Sequence, residues 1–280
     1  MHPYLIDFGE VSLPLLGRIH VAVPTYGLLV ATALLTGWLW FQRLAEREGI
    51  EPQAAGRVAF WTVVAGLISA KAGLVLVDLP WYMEEPSRLF SVELLQAAGV
   101  VWVGLLGGLA TLLALARLER IPLGPLLDAA AVPLPLAQAI GRFGCLAAGC
   151  CYGAACRFWW GIRYSSPAAH ARTGVPLGVP LHPTPLYEAL WTAGVVLPFL
   201  LWLRGRRRRP GELAFAYLVA YGTGRFAIEF FRGDTLRGLW FGDRLSTSQI
   251  VSLAVVPVAA ALWWRARRRP PAGNGAGTGE

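Results

Sequence analysis

About seven apolar runs, each near the length of a bilayer crossing, alternate with loops in which arginine recurs. They lie near 23–41, 59–79, 98–116, 123–143, 185–203, 212–230 and 246–264. A spanning helix needs roughly 20 mostly apolar residues, so the pattern predicts an all-α integral membrane protein with about seven transmembrane helices. A soluble domain of 280 residues would struggle to bury what this chain carries, 55% hydrophobic residues and a mean hydropathy of +0.50. Charged residues make up only 15% and cluster between the runs, so the net charge of +8 is explained by basic loops at a membrane surface, with no nucleic-acid partner.

Arginine placement predicts orientation. With the N-terminus outside, fourteen arginines fall in the cytoplasmic segments 42–58, 117–122, 204–211 and the tail, against eight in the opposite segments. The cytoplasmic loops are also the shorter ones, which strengthens the bias and gives an N-out, C-in arrangement. Residues 1–10 have neither a basic n-region nor an apolar h-region, so the first helix is expected to be retained. The fourth run carries Pro133, Pro135, Asp128 and Gln138, which predicts a broken helix shielded by its neighbours. Residues 1–269 are expected to form one transmembrane domain. The longest loop, 144–184, is expected to be a small extracytoplasmic head between helices 4 and 5, and 270–280 a disordered tail.

Ionisable groups at membrane depth are costly unless paired or hydrated, and so they are candidates for function. Arg142 ends the fourth run, Lys71 lies in the second, and Arg225 and Glu229 lie in the sixth, with Tyr221 one turn before Arg225. Arg225 and Glu229 share a helix face. They form either a structural ion pair or part of a polar stripe in which Arg225 and Arg142 bind a phosphate, the two arginines together leaving positive charge for an anion to neutralise. Lys71 either snorkels or pairs with Asp78. The segment His182-Pro183-Thr184-Pro185-Leu186-Tyr187-Glu188 reads as a helix start, with Thr184 as N-cap and Pro185 at N1. His182 within it could also act as a general base oriented by Glu188.

The stretch from Gly141 to Gly153, Gly-Arg-Phe-Gly-Cys-Leu-Ala-Ala-Gly-Cys-Cys-Tyr-Gly, holds three of the four cysteines, and Cys156 follows. Three readings of Cys145, Cys150, Cys151 and Cys156 stay open: disulfides in an oxidising compartment, small buried apolar residues, or a metal site or nucleophilic thiol. Spacing alone does not choose among them.

Together these residues resemble the prolipoprotein diacylglyceryl transferase family. The stretch 141–153 is similar to its signature Gly-Arg-x-Gly-Asn-Phe-x-Asn-x-Glu. His182 to Glu188 is similar to its His-Pro-Ser/Thr-Gln-Leu-Tyr-Glu segment, and Tyr221 to Asp234, YGTGRFAIEFFRGD, to its second arginine motif. The resemblance runs from Tyr26-Gly27 to Ser248-Gln249. It implies a multi-pass enzyme of the bacterial cytoplasmic (inner) membrane, a monomer with no cofactor and no resident metal. Its partners would be the lipid bilayer, phosphatidylglycerol and the lipobox of a prolipoprotein signal peptide.

Under the same resemblance Arg142, Arg225, His182 and Glu229 are the catalytic candidates. Tyr26, Gly144, Gly153, Tyr187, Glu188 and Tyr221 join the two arginines in binding phosphatidylglycerol. The chain departs from the pattern at Cys145 and Cys150, which align with the family's Asn and Glu, and at Val103, which stands where a histidine is usual. These departures suggest a cysteine-rich branch. They also keep a second reading in play, a lipid-binding or assembly homologue that retains the phosphate site without turnover. A transporter is disfavoured, because no inverted repeat is evident.

Overall fold

A computed structural model describes residues 4–13, 17–91, 94, 99–234, 238–242 and 244–268. The expected tail at 270–280 lies outside the described residues. The chain divides into two compact units, Gln42–Ala129 and the remainder, Met1–Phe41 with Ala130–Glu280.

The described residues begin with an antiparallel hairpin, β1 (Tyr4–Leu13) and β2 (Gly17–Pro24), which leads into α1 (Thr25–Arg47). Then follow α2 (Pro52–Val77), the short α3 (Leu79–Glu84), a 3-10 turn (Pro86–Phe90), α4 (Val101–Leu118), α5 (Leu123–Ala131) and α6 (Leu134–Ala148). The segment 144–184 contains β3 (Ile162–Arg163), α7 (Pro167–Thr173) and β4 (Pro180–Leu181). After it α8 (Thr184–Trp191) passes through a π turn (Thr192–Val196) into α9 (Leu197–Arg204), and α10 (Glu212–Ile228) follows. A 3-10 turn (Glu229–Phe231), the pair β5 (Leu239–Trp240) and β6 (Leu245–Ser246), and α11 (Thr247–Arg268) complete the chain.

Among the described residues, five helical stretches are long and apolar enough to cross a membrane: Thr25–Arg47, Pro52–Val77, Val101–Leu118, Thr184–Arg204 and Thr247–Arg268. The broken pair α5 and α6 makes a sixth if it is counted as one span. The break falls at Val132 and Pro133, where proline cannot extend the preceding hydrogen-bond ladder. Helix covers most of each apolar run among the described residues, but α10 has only 17 residues and carries Glu212 and Arg225. The protein is therefore a mostly helical membrane protein, with the β1–β2 hairpin as an addition that hydropathy does not signal.

In the unit Gln42–Ala129, α2 and α4 pack through small residues. A Cβ on Gly104 would lie 2.8 Å from the Gly66 carbonyl oxygen, so the two backbones meet where only glycine fits. Arg57 clamps Glu119 through two hydrogen bonds of 2.9 and 2.8 Å. Lys71 does not need Asp78, since its ammonium donates to the Leu94 carbonyl at 2.7 Å.

In the other unit, the buried Glu212 at the start of α10 accepts from the Arg208 backbone N–H at 3.1 Å and faces Arg267 Nε of α11 at 3.5 Å. A charge that would be costly if left alone thus ties two helix ends together. Helix α6 stops because Gly149 adopts the left-handed conformation, φ 76°, and its N–H caps the Cys145 carbonyl. The segment 144–184 closes over a small core of Tyr152, Tyr164, Ala169, Val175 and Leu181, with β3 paired to β4.

Candidate active site

Arg142 sits near the C-terminal end of α6, and one edge of its guanidinium is fixed. Nη2 lies 2.6 Å from Glu188 Oε1 of α8, whose side chain is only 5% exposed. The Tyr221 hydroxyl of α10 donates to the same carboxylate oxygen at 3.1 Å. Three helices therefore meet at Glu188. The other edge of Arg142 faces sulfur: Nη1 is 3.6 Å from Cys151 Sγ and 4.0 Å from Cys145 Sγ. Thiol sulfur is a weak acceptor, so this edge offers a stronger anion two unspent donors.

Arg225 is more fully engaged. It forms an ion pair with Glu229 one turn on, and its Nη2 donates to Ser248 Oγ at the start of α11, 3.0 Å away. Glu229 also faces Arg232 at 3.8 Å, and Arg232 holds Asp234 in a bidentate clamp of 2.8 and 2.5 Å. Burial works against the charge on Arg232, but Asp234, Cys151 and Glu229 outweigh it and hold the group above the ordinary guanidinium range. Tyr221 lies within electrostatic reach of both Arg142 and Arg225, which joins the two arginine groups.

Backbone pairing brings the cysteine loop, the His182 segment and the Arg232 segment together. The Gly153 N–H donates to the His182 carbonyl at 3.0 Å and the His182 N–H to the Ala154 carbonyl at 2.9 Å. The Ala154 N–H donates to Phe231 O at 2.9 Å, and the Gly233 N–H to Tyr152 O at 3.1 Å. No side chain fits at this crossing, because a Cβ on Gly153 would stand 2.4 Å from the His182 carbonyl oxygen. Tyr26 of α1 packs against α6 at Gly144, where a Cβ would come within 3.2 Å of its ring. Three of the ten candidates, Arg142, Glu188 and Tyr221, are thus in direct contact. Arg225 and Glu229 pair beside them, Tyr26 lies on Gly144, and Gly153 holds the loop.

His182 and Tyr187 form another group. His182 Nδ1 lies 3.0 Å from the Tyr187 hydroxyl, which also accepts from Trp160 Nε1 at 2.8 Å, and Phe231 packs edge-on to the imidazole. Glu188 does not orient His182 as the sequence suggested, because its carboxylate turns to Arg142 and Tyr221. Thr184 is not the N-cap either. Pro183 holds that position, and the Thr184 hydroxyl donates to the Cys151 carbonyl at 2.6 Å. Val103, standing where a histidine is usual, lies in the other unit against Gly73.

The sulfur atoms of Cys145, Cys150 and Cys151 all lie within 4.8 Å of one another, while Cys156 is buried elsewhere and hydrogen-bonds the Phe158 N–H. The Cys150 thiol donates to the Cys145 carbonyl, 3.7 Å away.

A model of the family described as prolipoprotein diacylglyceryl transferase matches residues 14–265 of the chain. The chain belongs to this family. A protein of Gloeobacter violaceus named phosphatidylglycerol–prolipoprotein diacylglyceryl transferase is 35% identical, over 88% of this chain and 90% of its own length. Proteins of the same name are 32% identical in Thermosynechococcus vestitus, over 85% of each chain, and 32% identical in Halalkalibacterium halodurans, over 87% of this chain and 82% of its own.

In this member of the family the charge balance differs from what Arg142 and Arg225 alone suggest. Arg142, Arg225 and Arg232 face Glu188, Glu229 and Asp234, so the cluster holds as many carboxylates as guanidiniums and leaves no surplus positive charge. The case for an anion rests instead on the unspent edge of Arg142. Arg232, Asp234 and Ser248 were missed as site residues. Arg232 and Asp234 stood in view in the FFRGD run, three and five residues after Glu229, whereas nothing in the sequence couples Ser248 to Arg225.

Proposed function

We propose that this protein transfers a diacylglyceryl group from phosphatidylglycerol to the lipobox cysteine thiol of prolipoproteins. Family membership and the names of its relatives support the reaction class. The observation that carries it to particular residues is the geometry of Arg142, one edge locked by Glu188 and the other turned to sulfur at 3.6 and 4.0 Å.

In the reaction, the lipid phosphate displaces these weak sulfur contacts and takes up the Nη1 edge of Arg142. Tyr221 and Glu188 keep the guanidinium in place, and Tyr26 flanks the lipid on α6. The substrate cysteine loses its proton and attacks the glyceryl carbon bonded to the phosphate ester. A C–S bond forms as the C–O bond breaks, and glycerol phosphate leaves with its charge against Arg142. Arg225 acts through its hold on Glu229, and Gly144 and Gly153 leave room for close approach. His182, with its imidazole on Tyr187, and Glu229 are the candidates to take the thiol proton.

Seven spans in an N-out, C-in arrangement put this site at the extracytoplasmic end of the bundle, with the head 144–184 above it and the protein a monomer in the cytoplasmic membrane. The arginine bias of the loops supports that orientation. The replacements at Cys145, Cys150 and Val103 favour one other reading, a homologue that binds the lipid without turning it over. Complementation of a strain depleted of its own diacylglyceryl transferase separates the two. Growth is the expected result; failure to grow, with the protein folded in the membrane, overturns the transferase reading.

A further inference from the structure

The three gathered thiols sit beside the proposed phosphate edge, and neither phosphate binding nor proton removal uses them. Their arrangement is built by the backbone. Gly149 and Cys151 both adopt left-handed conformations, φ 76° and 56°, and the Cys150 N–H bonds to the Cys145 carbonyl at 3.1 Å. This double turn folds Cys150 and Cys151 back over the last turn of α6. A non-glycine residue with positive φ is uncommon, so placing a cysteine there carries a conformational cost.

All three sulfur atoms fall within 4.8 Å of one another. Zinc–sulfur bonds of about 2.3 Å in a tetrahedron place sulfur atoms about 3.8 Å apart, so the set has to contract by about 1 Å at most to close on one ion. Thiolates select soft or borderline ions, chiefly zinc and monovalent copper. Three thiolates saturate monovalent copper in a plane, whereas zinc with three protein ligands keeps a fourth position for water or substrate. No fourth Cys, His, Asp or Glu joins the group among the described residues, and Cys150 and Cys151 are only half-buried. Arg142 Nη1 lies 3.6 Å from Cys151 Sγ and 4.0 Å from Cys145 Sγ, so the three sulfur atoms stand beside the edge proposed for the phosphate.

We propose that Cys145, Cys150 and Cys151 bind one zinc ion whose open fourth position takes the thiolate of the substrate cysteine and presents it to the lipid held by Arg142. This rests on the transferase reading and departs from the expectation of no metal. It also adds a route to the thiolate beside the candidate bases His182 and Glu229: a thiol bound to zinc gives up its proton to water without a protein base. The coordinated sulfur forms its C–S bond as the phosphate ester C–O bond breaks, and the product thioether, neutral and a weaker ligand, leaves the ion. The metal undergoes no redox change.

The test uses full-length protein purified in detergent under reducing, metal-replete conditions. Elemental analysis is expected to find one zinc per chain in the wild type and in Cys156→Ser, and to find it lost in Cys145→Ser and Cys151→Ser. Chelation of the wild type is expected to abolish lipidation of a lipobox peptide and zinc to restore it, a result independent of whether the variants fold. Cobalt substitution gives a readout apart from activity. The absorption of a tetrahedral cobalt–thiolate centre should change when the lipobox peptide is added, and should not change with a peptide whose cysteine is replaced by serine. Copper in place of zinc, a disulfide among the three cysteines in the active protein, or full turnover after chelation would each overturn the zinc site while leaving the transferase reading intact. A zinc-loaded protein that shows the cobalt response yet never lipidates the peptide supports the metal site and overturns the transfer.

Discussion

Arg142 and Glu188 form an ion pair of 2.6 Å between helices far apart in sequence, with the carboxylate almost wholly buried. The pair orients the guanidinium and sets which of its edges stays open. Replacing Glu188 with Gln strands a largely buried positive charge, at a cost of about 3 kcal/mol. Thermal unfolding in detergent should show that loss for Glu188→Gln and partial recovery in the double variant Arg142→Gln/Glu188→Gln, with turnover absent from both. A double variant no more stable than the single one would mean that the pair is not a structural unit.

Arg232 was not singled out from the sequence, yet it bridges Glu229 and Asp234. Lysine keeps its charge but not the planar fork that clamps Asp234. Arg232→Lys should lower turnover about tenfold, equivalent to about 1.4 kcal/mol. Asp234→Asn should add little to that loss, since both changes break one contact. Fully additive losses in a double-mutant cycle would contradict a shared role.

Gly153 lies where three segments cross, with 2.4 Å between an added Cβ and the His182 carbonyl oxygen. Gly153→Ala should displace the cysteine loop and abolish activity, whereas Gly205→Ala, where a Cβ meets nothing within 4 Å, should behave as wild type. Normal turnover by Gly153→Ala would show that the crossing tolerates a methyl group.

The Tyr187 hydroxyl joins His182 to Trp160. Tyr187→Phe leaves both ring nitrogens without this partner, for a loss of about 1 kcal/mol in the head. If His182 takes the thiol proton, Tyr187→Phe should lower kcat about tenfold with KM little changed, because the imidazole loses the hydroxyl that orients it. An unchanged kcat would remove His182 from the chemistry and leave it a packing role.

What the sequence made legible was local or periodic. Arg225 and Glu229 pair because they lie one helical turn apart, and Pro133 breaks the fourth run because a proline removes a backbone donor wherever it stands. The apolar runs announced the helices in the same way. What stayed hidden depends on contacts between distant segments. Nothing near Glu188 says that it faces Arg142 instead of His182, and cysteine spacing does not tell that Cys156 stands apart from the other three. The error over charge has the same origin: Arg142 looked unbalanced because its carboxylate partner lies on another helix. The β1–β2 hairpin has no hydropathy signal, since it pairs through the backbone.

The role proposed for Arg142 is to hold the phosphate of the lipid donor during transfer to a cysteine thiol. Its most direct test is the mass of a lipobox peptide after incubation with full-length protein in phosphatidylglycerol vesicles, wild type against Arg142→Ala, with folding of both verified by thermal unfolding. The peptide should gain one diacylglyceryl group with the wild type and none with Arg142→Ala. An unmodified peptide with folded wild type, or modification at the wild-type rate by Arg142→Ala, would contradict it.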